Sequence, residues 1–117
     1  MTPTDRRAFP RYEAPPTWAA RYLEQGSSDL GWRDCRVLDI SRGGAALEIA
    51  PHDTVEGIVA LELYAFGDTR RNIAVSGEVR HSTRLPSGAK KVGLEFTGIS
   101  ESEEQLLALL LRLVEVP

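Results

Sequence analysis

The sequence predicts an all-β domain, a six-stranded antiparallel β-barrel that is followed by one C-terminal helix. Three observations favour this fold class. From residue 17 onward, short apolar runs alternate with turns rich in Gly, Pro, Ser and Asp. Within the clearest runs, apolar and polar residues alternate with the period of a half-buried strand. Only residues 100–117 change to helical spacing. Closure of six strands into a barrel is favoured because it leaves no exposed sheet edge.

Length and composition exclude several classes of protein. A chain of 117 residues fits one domain, and a net charge of −3 gives no general basic surplus for nonspecific nucleic-acid binding. The single cysteine, Cys35, rules out an internal disulfide framework, and with only His52 and His81 a Cys/His zinc site is not expected. The N-terminus lacks an apolar signal segment, and no run reaches the ~18 apolar residues of a membrane span. We therefore expect a cytoplasmic domain without membrane insertion, metal or cofactor.

Residues 1–16 are predicted to form a flexible basic arm. Arg6, Arg7 and Arg11 lie close together in this segment. Helix is opposed there by Pro10, Pro15 and Pro16. Mutual repulsion of the arginines favours a mobile arm at residues 1–12 when no anion is bound.

The barrel is assigned to residues 17–99. Residues 72–82 are the clearest strand: Ile73, Val75 and Val79 share one face, and the alternation places His81 on the face of Val79. Cys35 falls in the middle of a strand and is predicted to be a small core or wall residue. The predicted strands are Thr17–Leu23, Trp32–Ile40, Ala45–Ile49, Ile58–Tyr64, Asn72–Ser82 and Lys91–Phe96.

The C-terminal segment, residues 100–117, is predicted to be a helix. Ser100 and Glu103 have the spacing of a capping box, in which Ser is the N-cap and Glu the third helical residue. A helix this apolar is expected either to cover one barrel opening or to contact another subunit. The apolar stripe contains Leu106, Leu107, Leu110, Leu113 and Val114, and Leu109 and Leu111 widen it.

No arrangement of residues supports catalysis. Ser41 has an aspartate nearby but no nucleophile elbow around it, and His52 and His81 do not complete a triad pattern. Phosphate-binding loops of the Walker or dinucleotide type are absent. The sequence therefore predicts a binding domain with no catalytic residue.

Two stretches have the chemistry of an anion or base site. The first is Arg7-x-x-x-Arg11, because arginine binds phosphate bidentately and also pairs with the edge of guanine. The second is the hexapeptide 39–44, in which an aspartate could accept the N1–H and N2–H donors of guanine. Each stretch has a simpler alternative. The first could be a solvated basic tail, and the second could be an ordinary turn in which paired glycines permit positive φ.

Together, these stretches resemble the signature of the PilZ domain family, R-x-x-x-R followed by [D/N]-x-S-x-x-G. The fixed positions are occupied by Arg7, Arg11, Asp39, Ser41 and Gly44. The late strand, residues 92–96, and the terminal helix are also similar to the family, so that the resemblance covers residues 5 to about 115.

The resemblance implies a receptor for cyclic di-GMP. It implies that Arg7 and Arg11 clasp the phosphates and guanine edges, that Asp39 and Ser41 hydrogen-bond guanine, and that Gly43 and Gly44 complete the turn. The arginine just before the motif, Arg6, resembles the residue at this position in family members that accept two mutually intercalated ligand molecules.

The resulting hypothesis is a receptor and adaptor that transmits the signal to an unknown partner protein by ordering its N-terminal arm. The alternative is an adaptor of the same fold that binds a partner independently of nucleotide. A barrel for single-stranded nucleic acid is disfavoured, because aromatic residues make up only 7% of the chain. We therefore expect neither DNA nor RNA as a ligand.

Overall fold

The structure, a computed structural model, describes residues 10–25, 31–64 and 72–115. The described residues form seven strands and one helix. The strands are β1 (Tyr12–Glu13), β2 (Ala19–Glu24), β3 (Arg33–Ile40), β4 (Gly44–Ile49), β5 (Ile58–Tyr64), β6 (Ile73–Arg84) and β7 (Lys90–Gly98), and the helix is α1 (Glu101–Glu115).

The strands β2 to β7 close into a six-stranded antiparallel barrel. Around the barrel the order is β2-β5-β6-β7-β4-β3, and β3 pairs with both β4 and β2 to complete the circle. Every pairing is antiparallel. The predicted fold class, a six-stranded antiparallel barrel with one C-terminal helix, is confirmed.

The strand β1 is an addition that the sequence did not predict. Tyr12 lies opposite Ile40 and Glu13 opposite Asp39, and the Ala14 amide donates to the Leu38 carbonyl at 3.1 Å. This part of the predicted arm, residues 1–16, therefore lies in the sheet instead of outside it. The reason is that β2 pairs only with the first residues of β3, so the later part of the same edge is free for β1.

The core fills the barrel interior with alternate side chains of the strands. Val59, Leu61 and Val92 are almost completely buried, and each such side chain contributes about 1.5–3 kcal/mol through the hydrophobic effect. Leu107 and Leu110 of α1 belong to the same cluster. The helix therefore packs its apolar face against the barrel core.

The predicted helix cap is present. The Ser100 hydroxyl accepts from the Glu103 amide at 3.2 Å and donates to the Glu103 carboxylate at 2.8 Å. The predicted single stripe is divided, however: some of its leucines are buried and others are exposed, because the barrel covers only one side of the helix. Buried are Leu107, Leu110 and Leu111; exposed are Leu106, Leu109 and Leu113.

A β-bulge in β6 changes the face of one predicted residue. Val79 lies opposite Leu94, whereas His81 lies opposite Gly93, so one extra residue is inserted between the two pairs. Because Leu94 and Gly93 point to opposite sides of β7, Val79 and His81 point to opposite sides as well. The prediction that His81 shares the face of Val79 was therefore wrong.

Candidate ligand-binding site

The outer surface of the barrel carries a row of residues brought together by strand register. Glu13, Asp39, Ala46, Gly93 and His81 follow one another across β1, β3, β4, β7 and β6. Residues that lie opposite each other on neighbouring strands share one face of the sheet. All five residues therefore belong to the outer face of the barrel. The small residues at positions 46 and 93 lie in the middle of this row.

A pocket lies on this face, beside the hexapeptide 39–44 that the sequence singled out. Its cavity volume is about 30 Å³, and the rest of the depression is open to solvent. The lining residues are Arg11, Ser41, Gly43, Gly44, Arg80, His81, Gly93, Leu94 and Glu95. Four of the seven candidate residues thus border one pocket, although they come from two distant parts of the chain.

Arg11 and Asp39, two of the predicted ligand-binding residues, form an ion pair. The Arg11 guanidinium donates to the Asp39 carboxylate at 2.9 Å. The Arg11 side chain is 52% exposed and that of Asp39 is 25% exposed, so the pair stays accessible to solvent. The pairing connects the arm motif to the barrel motif. Arg6 and Arg7, the remaining arm residues, lie outside the described residues.

The turn after β3 is held by its own serine. The Ser41 amide donates to the Gly44 carbonyl at 2.8 Å, and the Gly43 amide donates to the Ser41 hydroxyl at 3.1 Å. That hydroxyl also donates to the Gly44 carbonyl at 3.4 Å. Ser41 is 3% exposed, so its hydroxyl serves chiefly to shape the turn. The residue thus has the hydrogen bonds of a well-made turn, and its contact with a ligand stays a prediction.

Gly44 is required for close packing and not for positive φ. Among the described residues, positive φ occurs at Gly57 and Gly88, so Gly43 and Gly44 do not adopt the positive φ that glycine permits. A Cβ at Gly44 would overlap the Leu94 carbonyl oxygen on β7. Glycine therefore permits β4 and β7 to approach closely at the floor of the pocket.

Three side chains of the pocket were missed by sequence reasoning. His81 lies against Gly93, where a Cβ would overlap its imidazole ring. Arg80 pairs with Glu78 at 3.0 Å and also with Glu95. A glycine inside a strand indicates a close approach by another group, so Gly93 was the signal available in the sequence. Which side chain approaches it depends on the bulge in β6.

The turn is also connected to the helix. Arg42 donates to the Glu104 carboxylate of α1 at 3.2 Å, and both side chains are about half exposed. On the neighbouring side, the Ala74 amide of β6 donates to Glu103 at 2.6 Å. The first turn of α1 thus contacts both the pocket turn and the barrel wall.

The described residues contain no group of three His, Cys, Asp or Glu side chains placed to hold a metal ion. Within the same part of the chain, no helix is long and apolar enough to cross a membrane. The pocket instead combines guanidinium groups with carboxylates and backbone atoms. This chemistry suits a ligand that carries both anionic oxygens and hydrogen-bond donors.

Comparison with known proteins assigns the fold to one family. The family model described as "PilZ domain" matches residues 5–113. A comparison of the sequence with curated proteins found no match.

Solved structures of the same fold include proteins from three bacteria. The PilZ domain of YcgR from Escherichia coli with c-di-GMP is 17% identical, with a TM-score of 0.68, over 95% of this chain and 92% of that one. MotI, the Bacillus subtilis inhibitor of motility, is 21% identical, with a TM-score of 0.70, over 92% of this chain and 53% of that one. The K. pneumonia MrkH–c-di-GMP complex is 16% identical, with a TM-score of 0.67, over 94% of this chain and 52% of that one. The chain therefore spans about half the length of MotI and MrkH.

Proposed function

The chain belongs to the PilZ domain family, and from that premise we propose that it is a receptor for cyclic di-GMP that passes the signal to a partner protein. The observation that carries the proposal is the position of Arg11, which pairs with Asp39 and also lines one pocket together with the 41–44 turn on the outside of the barrel. The YcgR and MrkH structures of the same fold are complexes with c-di-GMP. No step of the proposal requires catalysis or a cofactor.

The ion pair between Arg11 and Asp39 indicates how the ligand would enter. A guanidinium group has the same array of N–H donors as the N1–H and N2–H edge of guanine. Arg11 therefore occupies, on Asp39, the position that a guanine edge would take. In the proposed exchange, the Asp39 carboxylate gives up its hydrogen bond with Arg11 and accepts from guanine instead. Arg11 is then released to bind a phosphate bidentately.

The remaining candidate residues have complementary roles in this proposal. Arg7 joins Arg11 on the phosphates, while Ser41 and Gly43 hold the turn against which the base lies. Gly44 keeps β4 close to β7 beneath the ligand. His81 presents an imidazole ring on the pocket wall, and this ring offers a surface on which the base stacks.

Signal transmission is proposed to involve the arm and the first turn of the helix. Since Tyr12–Glu13 already pairs with β3, ordering by the ligand would concern the residues that precede β1. A ligand that contacts the 41–44 turn also acts next to Arg42, which is paired with Glu104 of α1. Both changes would alter the surface that a partner protein contacts.

Calorimetric titration of the full chain with cyclic di-GMP tests the proposal. We expect binding of cyclic di-GMP but not of cyclic di-AMP, because the adenine edge lacks the adjacent donors that Asp39 accepts. GTP and a short single-stranded RNA are further controls. Asp39→Ala should weaken binding more than Asp39→Asn, which keeps one acceptor. Equal binding of the two cyclic dinucleotides, or no binding of either, would contradict the proposal.

Arg6 provides a second measurement in the same titration. If it supports two intercalated ligand molecules, the wild-type chain should saturate at two nucleotides, and Arg6→Leu should lower the stoichiometry toward one. A wild-type stoichiometry of one would refute this role of Arg6 and leave the rest of the proposal intact. Trypsin cleavage at Arg6 and Arg7, slowed by ligand, would support ordering of the arm.

The second candidate function is the nucleotide-independent adaptor, and one observation favours it. The helix α1 exposes Leu106, Leu109 and Leu113 to solvent, and exposed apolar patches are typical of protein contacts. Absence of cyclic di-GMP binding together with a stable folded chain would favour this alternative.

A further inference from the structure

The pocket is bordered by a carboxylate that belongs to neither sequence motif. Glu95 of β7 lies opposite Gly44 in the sheet, and it lines the pocket together with Arg11 and Arg80. Its side chain is 30% exposed. A carboxylate at this position would repel the phosphates of a cyclic dinucleotide. It favours such a ligand only where the ligand presents N–H donors to it.

Glu95 is paired with an arginine that also has a second carboxylate. Arg80 pairs with Glu95 and, at 3.0 Å, with Glu78. The three side chains are all about one third exposed, so solvent screens the pairs. If a ligand took the place of Arg80 on Glu95, the guanidinium would keep its pair with Glu78. The exchange therefore leaves no charge without a partner.

The site thus contains two arginine–carboxylate pairs, one at Asp39 on β3 and one at Glu95 on β7. Asp39 is aligned across β4 with Gly93, and Glu95 lies two residues further along β7, on the same outer face. Strand spacing and rise place the Cα atoms of the two acidic residues about 12 Å apart. Cyclic di-GMP carries two guanines on one ring of phosphates and sugars. Two separate carboxylates on one face match two separate guanine edges.

We propose that Glu95 accepts the N1–H and N2–H donors of the second guanine, so that the site recognises both bases of one ligand molecule. The inference rests on the proposed function, in which Asp39 accepts from the first guanine. It assigns specificity for the second base to Glu95, which replaces its hydrogen bond with Arg80 by one with the ligand. An adenine at this position would present an acceptor where guanine has its N1–H, and the carboxylate would disfavour it.

Calorimetric titration of the full chain with cyclic di-GMP and with the hybrid cyclic GMP–AMP tests this role. We expect the wild-type chain to bind the hybrid at least about tenfold more weakly, because only one of its bases has the guanine donors. Glu95→Ala should weaken binding of cyclic di-GMP about tenfold and change binding of the hybrid little. The two affinities should then agree within about threefold. Glu95→Gln, which keeps one acceptor and the length of the side chain, should give an intermediate ratio.

Glu78→Ala is the matched control. It removes the same charge and a partner of the same Arg80, but Glu78 does not line the pocket, so the ratio of the two affinities should stay at its wild-type value. A thermal melt of each variant establishes that it is folded. Binding of cyclic di-GMP with an unchanged ratio in Glu95→Ala and Glu95→Gln, or with an equal change in Glu78→Ala, would overturn this inference and leave the proposed function intact. Equal wild-type binding of cyclic di-GMP and the hybrid would also overturn it. A wild-type chain that binds neither nucleotide would overturn both proposals.

Discussion

Two aspartates of this domain accept hydrogen bonds from arginine at almost the same distance, yet their surroundings differ. Asp39 accepts from Arg11 at 2.9 Å, and Asp53 accepts from Arg33 at 2.8 Å. Asp53 also accepts from the hydroxyl of the buried Tyr22 at 3.0 Å. Among the described residues, Arg11 is the only side chain that hydrogen-bonds Asp39.

The comparison supports the proposal that the number of partners, more than the distance, separates a structural aspartate from an exchangeable one. The Asp53 side chain is 14% exposed, and its backbone carbonyl accepts from Lys90 at 2.7 Å, so the residue connects the loop after β4 to β2, β3 and β7. Asp39 has one exposed partner, Arg11, which lines the candidate pocket. A solvent-exposed pair of this kind stabilises a fold by at most about 1 kcal/mol, so a ligand could replace its arginine at small cost.

The largest expected effect is on stability, at Asp53. Asp53→Ala should lower the free energy of unfolding by about 3 kcal/mol, because it leaves the buried Tyr22 hydroxyl without its acceptor and removes a charge from Arg33. Urea denaturation measures the change. Asp39→Ala is the matched control and should cost less than about 1 kcal/mol. A greater loss of stability at Asp39 than at Asp53 would contradict the comparison.

The next effect is on binding, at the arginines. Arg7→Ala and Arg11→Ala should each weaken cyclic di-GMP binding by at least about tenfold, since a charge-assisted hydrogen bond contributes about 1.5–3 kcal/mol. The melting temperature should change little, because Arg11 is exposed. Arg84→Ala, at an exposed position that does not line the pocket, is the control. Unfolding of the barrel by Arg11→Ala would show that this residue supports the fold instead.

A smaller effect is expected at the floor of the pocket. Gly44→Ala should lower the free energy of unfolding by about 1–2 kcal/mol, because the new methyl group would overlap the Leu94 carbonyl oxygen and push β4 away from β7. Gly31→Ala is the matched control: its Cβ would meet open space, so the change should stay below about 1 kcal/mol. Equal effects of the two substitutions, measured by urea denaturation, would contradict the conclusion that Gly44 is needed for the close approach of β4 and β7.

The sequence predicted the barrel well because its signals are local. Alternation in residues 73–79 and the capping pair Ser100 and Glu103 depend only on near neighbours in the chain. The strand β1 was not predicted, because two residues carry no periodicity and their pairing depends on the free edge of β3. The bulge before His81 was missed for the same reason, since it is defined only by the register against β7.

For the site, the motif residues could be identified but their contacts could not. Arg11 and Asp39 were both candidates, yet nothing local indicates that they pair across 28 positions of sequence. No local signal singled out Asp53, because its role depends on partners from three separate strands. Long-range contacts of this kind follow from topology, which alternation and motif spacing do not specify.

The free energy of unfolding should depend on alkaline pH through groups in and near the Asp53 region. Burial, together with the hydrogen bond to Asp53, raises the pKa of Tyr22 from 10.0 to about 12, and burial raises the pKa of Cys35 from 9.0 to about 12. The folded state therefore holds protons that the unfolded chain releases, and stability should fall as the pH rises from 9 toward 12.

Denaturation at a series of alkaline pH values measures this slope. Tyr22→Phe should reduce the slope between pH 10 and 12, and Cys35→Ala should reduce it from pH 9 upward. Neither variant should change the pH dependence near neutrality, where both groups are protonated in the folded and the unfolded state. A slope that both variants leave unaltered would contradict the assigned burial of these groups.

The smallest expected effect is the coupling between Arg11 and Asp39 in the chain without ligand. A double-mutant cycle of Arg11→Ala and Asp39→Ala should give a coupling of about 0.5 kcal/mol in the free energy of unfolding, as for other exposed ion pairs. The corresponding cycle of Arg33→Ala and Asp53→Ala should give a larger value, because Asp53 is less exposed and shares its carboxylate with Tyr22. If Arg11 and Asp39 are exchangeable partners, each single substitution should also remove more binding energy than stability. A coupling at Arg11 and Asp39 that equals the one at Arg33 and Asp53 would mean that the arginine is fixed in place, and a ligand could then reach Asp39 only by disrupting the fold around it.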